Sequence, residues 1–265
     1  MKTVVAALDN SQSDTAVLAA ARALALLLDA RVEALHVRTN GDRSARKAAE
    51  AAGVPLRTVS APVVERLVEA AEAEDVVALA LGARATPGGA RPLGGTAAAV
   101  ATALLKPMIV VPPEARVPDE FRRVLVPLEA SVSASLAPRT LVELARGTTI
   151  EAIALHVYDD DSLPLFTDQP QHEQEAWARE FLARYCPAGL GNVQLETRVG
   201  RSDALVPLVA GECGCDLVAL GWSQALAPGR APVVRATLER SRLPVLLVPV
   251  RLRAQLEKTA RAAAV

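Results

Sequence analysis

Short unbroken aliphatic runs alternate along the chain with longer stretches in which apolar residues recur every three or four positions. In the first part the runs fall at 3–8, 32–37, 55–60, 76–81 and 108–111. The stretches between them predict helices at about 13–28, 43–52, 62–73 and 96–105. Val17, Ala21, Leu24 and Leu28 keep helical spacing in the first helix, with Ser11 read as its cap and Asp14 as the answering capping-box acid. The second part repeats the order, with runs near 123–128, 150–157, 194–199, 216–221 and 244–250. Runs without polar alternation belong to parallel strands buried on both faces, and helices between them make right-handed crossovers. The expected class is therefore α/β: two doubly wound domains, each a five-stranded parallel sheet with helices on both faces. In such a fold ligands bind beyond the carboxyl ends of the strands, where the strand order reverses.

The repetition goes beyond element order. Val4–Leu8 followed by Asp9, Asn10 and Ser11 matches Val124–Leu128 followed by Glu129, Ala130 and Ser131, 120 positions on. ALHV stands at Ala34–Val37 and at Ala154–Val157 in the same register, so His36 matches His156. ALG at Ala80–Gly82 and Ala219–Gly221 is offset by 139, the extra residues lying in the second copy. Each copy closes alike, on PMIVVPP and on LPVLLVPV. These matches argue for duplication. The expected division is a domain over 1–113, a proline-rich linker at 114–120, a second domain over 121–250 and a helical tail at 251–265.

Composition narrows the function. Lys and Arg number 29 against 30 Asp and Glu, which argues against a polyanion partner such as nucleic acid. Three cysteines do not build a disulfide framework, and no apolar stretch is long enough to span a bilayer. A soluble, cytoplasmic protein is expected.

The candidate chemistry sits after the fourth run, in GARATPGGARPLGGT from Gly82 to Thr96. A glycine at a strand end permits close approach to backbone, and a glycine-rich loop opening a helix offers free N–H groups to phosphate. Thr96 adds a hydroxyl, and Asp9 ends the first strand toward the same crevice. A flexible surface turn would have the same composition.

Taken together, LDNS at Leu8–Ser11, the LHV of the second strand, the closing P-x-IVV and the glycine loop resemble the universal stress protein family over nearly the whole chain. ATP-binding members carry G-x2-G-x9-G-[S/T] after strand four. Here the positions are Gly82, Ala85, Gly95 and Thr96, so alanine stands where the second glycine belongs. The resemblance implies adenine-nucleotide hydrolase-like domains and ATP, with or without Mg, as ligand. It implies that Asp9 contacts adenosine, that Val37 lends backbone near the base, and that Gly82 permits close approach. Gly95, Thr96 and Ala97 would hold phosphates, with Arg84 and Arg91 as charge partners near Ala85. Pairing of the fifth strands would join the two domains, and two chains would form a homodimer.

The second copy departs from this pattern. Ala231 and Pro232 stand at the glycine and hydroxyl positions, Glu129 replaces the aspartate, and Trp222 is placed to fill a vacated pocket. A non-binding partner domain is expected there. His36 and His156 are read as packing or turn residues, His172 as solvated, Cys186, Cys213 and Cys215 as structural thiols, and Asp159–Asp161 as a solvated turn. The leading reading is a stress-response ATP sensor with one nucleotide site. The alternatives are a nucleotide-free interaction protein and a slow ATP hydrolase, the last weakened because LDNSQSD is not the SGGxDS-type loop of ATP pyrophosphatases.

Overall fold

The structure, a computed structural model, describes residues 1–38, 43–84, 93–128, 150–158, 170–185, 193–225 and 230–249, and within 170–185 the side chains of 176–183. The first half runs β1 (Thr3–Leu8), α1 (Asp14–Leu28), β2 (Arg31–Arg38), α2 (Arg43–Ala52), β3 (Leu56–Ser60), α3 (Val63–Ala71), β4 (Val76–Gly82), α4 (Gly95–Ala103) and β5 (Met108–Val111). The second half runs β6 (Arg123–Pro127), β7 (Glu151–Tyr158), α5 (Pro170–Tyr185), β8 (Val193–Val199), α6 (Ser202–Glu212), β9 (Leu217–Trp222), α7 (Pro232–Arg240) and β10 (Val245–Pro249). The tail at 251–265 lies outside the described residues, as do Arg91, Glu129, Asp159–Asp161 and Cys186. The side chain of His172 is likewise outside them.

All ten strands form one sheet in the order β3-β2-β1-β4-β5-β10-β9-β6-β7-β8. Each half is parallel and doubly wound, and the second half is the mirror of the first in strand order. The halves meet where β5 and β10 pair antiparallel, Val110 opposite Val245 and Ile109 opposite Leu246. Ile109 and Leu246 are both fully buried, so truncating either to alanine costs about 2–5 kcal/mol.

Successive residues of a strand point to opposite faces, and two cores follow from that period. Val4, Ala6 and Leu8 join α1, Phe121 and Phe181 of α5 on one face; Val5 joins Leu67 of α3, Val100 of α4, Val206 of α6 and Val234 of α7 on the other. With so few aromatics, small side chains fill this interior: Ala20, Ala21, Ala34, Ala78 and Ala80 are each fully buried. Residues 112–122 carry neither helix nor strand, yet Ala115 and Val117 pack against the first core.

Candidate nucleotide site

In the first half the strand order reverses between β1 and β4, whose carboxyl ends open a crevice. The chain leaves β1 through a tight turn. Asn10 has φ +64°, in the left-handed region that asparagine tolerates, and this folds residues 11–13 back toward the strand end. The exposed Asp9 accepts the Ser11 N–H on Oδ1 at 3.0 Å, and Ser11 Oγ accepts the Ser13 N–H at 3.1 Å. Asn10 Oδ1 accepts the Ala45 N–H of α2 at 2.9 Å, and its amide lies 3.4 Å from His36 Nε2. His36 Nδ1, 2.8 Å from the Leu8 carbonyl, must be the protonated nitrogen, which leaves Nε2 as the acceptor for Asn10.

The capping box expected of Ser11 and Asp14 is not the arrangement adopted. Asp14 is the first helical residue, and Ser13, the cap, makes no side-chain cap bond among the described residues. The Asp14 carboxylate instead accepts the Asp9 N–H on Oδ1 at 3.0 Å, across the turn made at Asn10. Asp14 is 2% exposed, and its Oδ2 is buried without a hydrogen-bond partner among the described residues. Burial, with the like charge of Asp9 adding to it, pushes its pKa up from 3.8 to about 6. The sequence pattern made this residue the capping-box acid answering Ser11.

From the other side of the crevice, Gly82 ends β4. A Cβ on it would lie 3.5 Å from Ser13 Cβ, so its bare face is turned to the β1–α1 turn. The Ala83 carbonyl accepts the Gly94 N–H at 2.8 Å and ties the start of α4 to the end of β4. Gly94 caps α4, and the helix's internal bonding begins with the Ala98 N–H on the Gly94 carbonyl at 2.9 Å. The N–H groups of Gly95, Thr96 and Ala97 precede that first bond. Gly95 and Thr96 are exposed, Ala97 is buried, and a Cβ on Gly95 would meet nothing within 4 Å among the described residues. Arg84 follows at half burial, and Val37 is buried in β2 on the neighbouring strand. The turn of Asp9, Gly82 and the head of α4 therefore converge on one crevice, while Val37 stands one strand away. Ala85, with Gly88 and Gly89, lies outside the described residues.

The second half repeats the scaffold with different ends. His156 Nδ1 meets the Leu128 carbonyl at 3.0 Å, as His36 meets Leu8. Around His156 pack Tyr158, Trp177 and Phe181, with ring centroids 4.5, 6.1 and 4.6 Å away. Helix α7 opens on Pro232, which has no N–H, after Ala231 at φ +46°. Trp222 is 3% exposed and packs into the core beside α6 and α7. Gln224, at φ +59°, reaches across to the first half and donates to the Leu104 carbonyl at the end of α4 at 2.5 Å. Cys213 caps α6, and burial, with Cys213 nearby, pushes the Cys215 thiol up to about 12. Such a thiol does not ionise near neutrality, and its assignment as structural stands.

Residues 120–249 match the model of the Universal stress protein family. The second half of the chain is a universal stress protein family domain. The family's fold extends over both halves: a universal stress protein from Archaeoglobus fulgidus DSM 4304 is 17% identical, covers 93% of this chain and 96% of its own, and superposes with a TM-score of 0.66. A functionally unknown protein from Pseudomonas aeruginosa PAO1 is 14% identical over 99% of this chain and 98% of its own, also at 0.66. At these identities the likeness is one of fold. A universal stress protein family protein from Arabidopsis thaliana, solved with AMP bound, covers 48% of this chain and 91% of its own at 15% identity and a TM-score of 0.36. Among curated proteins none matches the chain. No helix among the described residues is long and apolar enough to cross a membrane.

Proposed function

We propose that this chain is a cytoplasmic universal stress protein, a sensor that binds one adenine nucleotide, ATP, in its first half, with the second half as a non-binding partner. The observation that carries the reading is the contrast between the two equivalent helix starts. Helix α4 opens on Gly94, Gly95 and Thr96, with three N–H groups ahead of its first internal bond and nothing among the described residues within 4 Å of a Cβ on Gly95. Helix α7 opens on a proline behind a residue in the left-handed region. A phosphate gains from a fan of N–H groups at a helix N-terminus, and proline removes one of them. The residues present in the first half fit a phosphorylated ligand. Gly95, Thr96 and Ala97 take the phosphates, Asp9 the adenosine hydroxyls, Gly82 and Val37 the backbone walls. Arg84 flanks the phosphate end.

Nucleotide that is sensed leaves intact, whereas a slow hydrolase releases phosphate. The exposed Asp9 is bonded to Ser11 N–H and is better fitted to orient a ligand than to activate water. Calorimetric titration with ATP·Mg tests the reading: about one site per chain, lost in Gly95→Val, supports it. Two sites per chain would overturn the assignment of the second half. No binding at millimolar ATP would favour an interaction protein working without nucleotide. Sedimentation of the same samples checks the homodimer.

A further inference from the structure

Strand β8 ends the sheet, with no strand beyond it among the described residues. One bond fixes its outer edge. Gly200 N–H donates to the Tyr158 carbonyl at 2.8 Å, so the backbone groups of Gln194, Glu196 and Arg198 face β7. Those of Leu195, Thr197 and Val199 then face outward. The side chains alternate between the two faces of the sheet. Glu196 and Arg198 share one face, pair with each other and are 31% and 35% exposed. Arg198 also reaches Glu212 of α6 at 3.4 Å. On the other face Leu195 packs against the first core, while Val199 is left 49% exposed.

Charged side chains on an edge strand ordinarily blunt it against pairing. Here their spacing matches one partner, a second copy of this chain. Two β8 strands laid antiparallel about a two-fold axis at Thr197 bring outward backbone groups opposite outward backbone groups. Thr197 meets Thr197, Leu195 meets Val199 in both directions, and between them Glu196 stands opposite Arg198 twice. Each of these cross-strand pairs is of a kind that stabilises antiparallel strands. The charges also select the register. A slide of two residues, the smallest that keeps outward groups opposed, sets Glu196 against Glu196 or Arg198 against Arg198. The far end of the sheet lacks such a pattern: the one charged residue of β3, Arg57, is held by Glu33 at 2.9 Å, and pairing about Thr58 sets it against Val59.

We infer that β8 is a self-recognition edge through which two chains form the homodimer, joining their ten-stranded sheets into one. This rests on the homodimer expected from the family resemblance and gives it a surface; it requires no nucleotide. In the single chain the Arg198 guanidinium donates to the Thr197 carbonyl at 3.0 Å and covers the central acceptor of the edge. On pairing, that carbonyl takes the N–H of the other copy's Thr197, and the guanidinium turns to the other copy's Glu196. No group loses a partner in the exchange.

Sedimentation across a wide range of concentration tests the seam. The native chain should dimerise, and less tightly in high salt. Glu196→Arg sets two like-charge pairs across the axis, as does Arg198→Glu, and each should weaken the dimer at least about tenfold. Mixed one to one, the two variants should recover the native affinity, because each brings the charges that the other lacks. Neither regains its own ion pair within the chain, so recovery cannot come from a repaired fold. In the native protein alone, the amides of Leu195, Thr197 and Val199 should exchange more slowly as concentration rises. A native chain that stays monomeric overturns the inference and the homodimer together. A dimer whose β8 amides exchange at the same rate at every concentration, or one indifferent to both charge variants, overturns this surface alone, as does a mixture that stays monomeric. Calorimetry with ATP·Mg judges the nucleotide reading separately.

Discussion

His36 Nδ1 lies 2.8 Å from the carbonyl of Leu8, its register partner on the neighbouring strand, so the imidazole closes the end of β1 onto β2. One ring nitrogen is committed to backbone and the other to Asn10, and the side chain is 2% exposed. A residue so tied is part of the frame that holds the Asp9 turn.

Replacing His36 by alanine leaves the Leu8 carbonyl without its side-chain donor and opens a cavity behind Asn10. The expected loss of stability is about 2–4 kcal/mol, read from urea unfolding. His156→Ala, which also strips a ring from the cluster with Tyr158, Trp177 and Phe181, should cost as much or more. A loss under about 0.5 kcal/mol in either would show that the imidazoles are dispensable to the frame.

Stability should depend on pH through Asp14. Its folded pKa, about 6, stands above the ordinary 3.8, so folding favours the protonated form. That stability is fully present below 3.8 and lost as pH rises through about 6, amounting to about 3 kcal/mol across the window. Asp14→Asn should remove this component and unfold later than the native chain at pH 8. Equal pH profiles for the two proteins in chemical denaturation would contradict the assignment.

Much of the scaffold was legible because buried parallel strands write themselves as aliphatic runs: the run at 3–8 is β1 and that at 108–111 is β5, residue for residue. The loop-to-helix step was legible too, with α4 beginning at Gly95, one residue before Thr96. Two features were not. Asp14 read as a capping-box acid because spacing in sequence carries no information on which amide a left-handed Asn10 swings within reach. The bond from Gln224 to Leu104 spans 120 residues and exists only once β5 and β10 have docked. The resemblance of the closing strands pointed to that docking, but nothing local to Gln224 could.

Gly95 offers a substitution whose two effects have opposite signs. A methyl group there meets none of the described residues and lowers the entropy cost of the first helical turn, so Gly95→Ala should raise stability by up to about 1 kcal/mol. The same methyl projects where phosphate is proposed to lie and should weaken ATP binding at least tenfold. Thermal denaturation with and without ATP·Mg reads both effects; a more stable variant with native affinity would remove Gly95 from the site.

At Ala231, φ +46° is costly for any residue with a Cβ. Ala231→Gly should gain about 1 kcal/mol in thermal stability and leave the ATP stoichiometry at one, because Pro232 still withholds its N–H. A second site in this variant would mean that the proline is no barrier.

The antiparallel seam between Ile109 and Leu246 has a further consequence. Two halves that pair through these strands on one polypeptide see each other at a fixed, high effective concentration, which dilution cannot lower. Their association therefore carries no concentration-dependent term in stability, unlike that of separate subunits. A mutation also falls on only one side of the seam, where in a pair of identical chains it would fall on both. Under the proposed function, that freedom is what lets the head of α4 keep its glycines while the head of α7 takes a proline, without the pair ever coming apart.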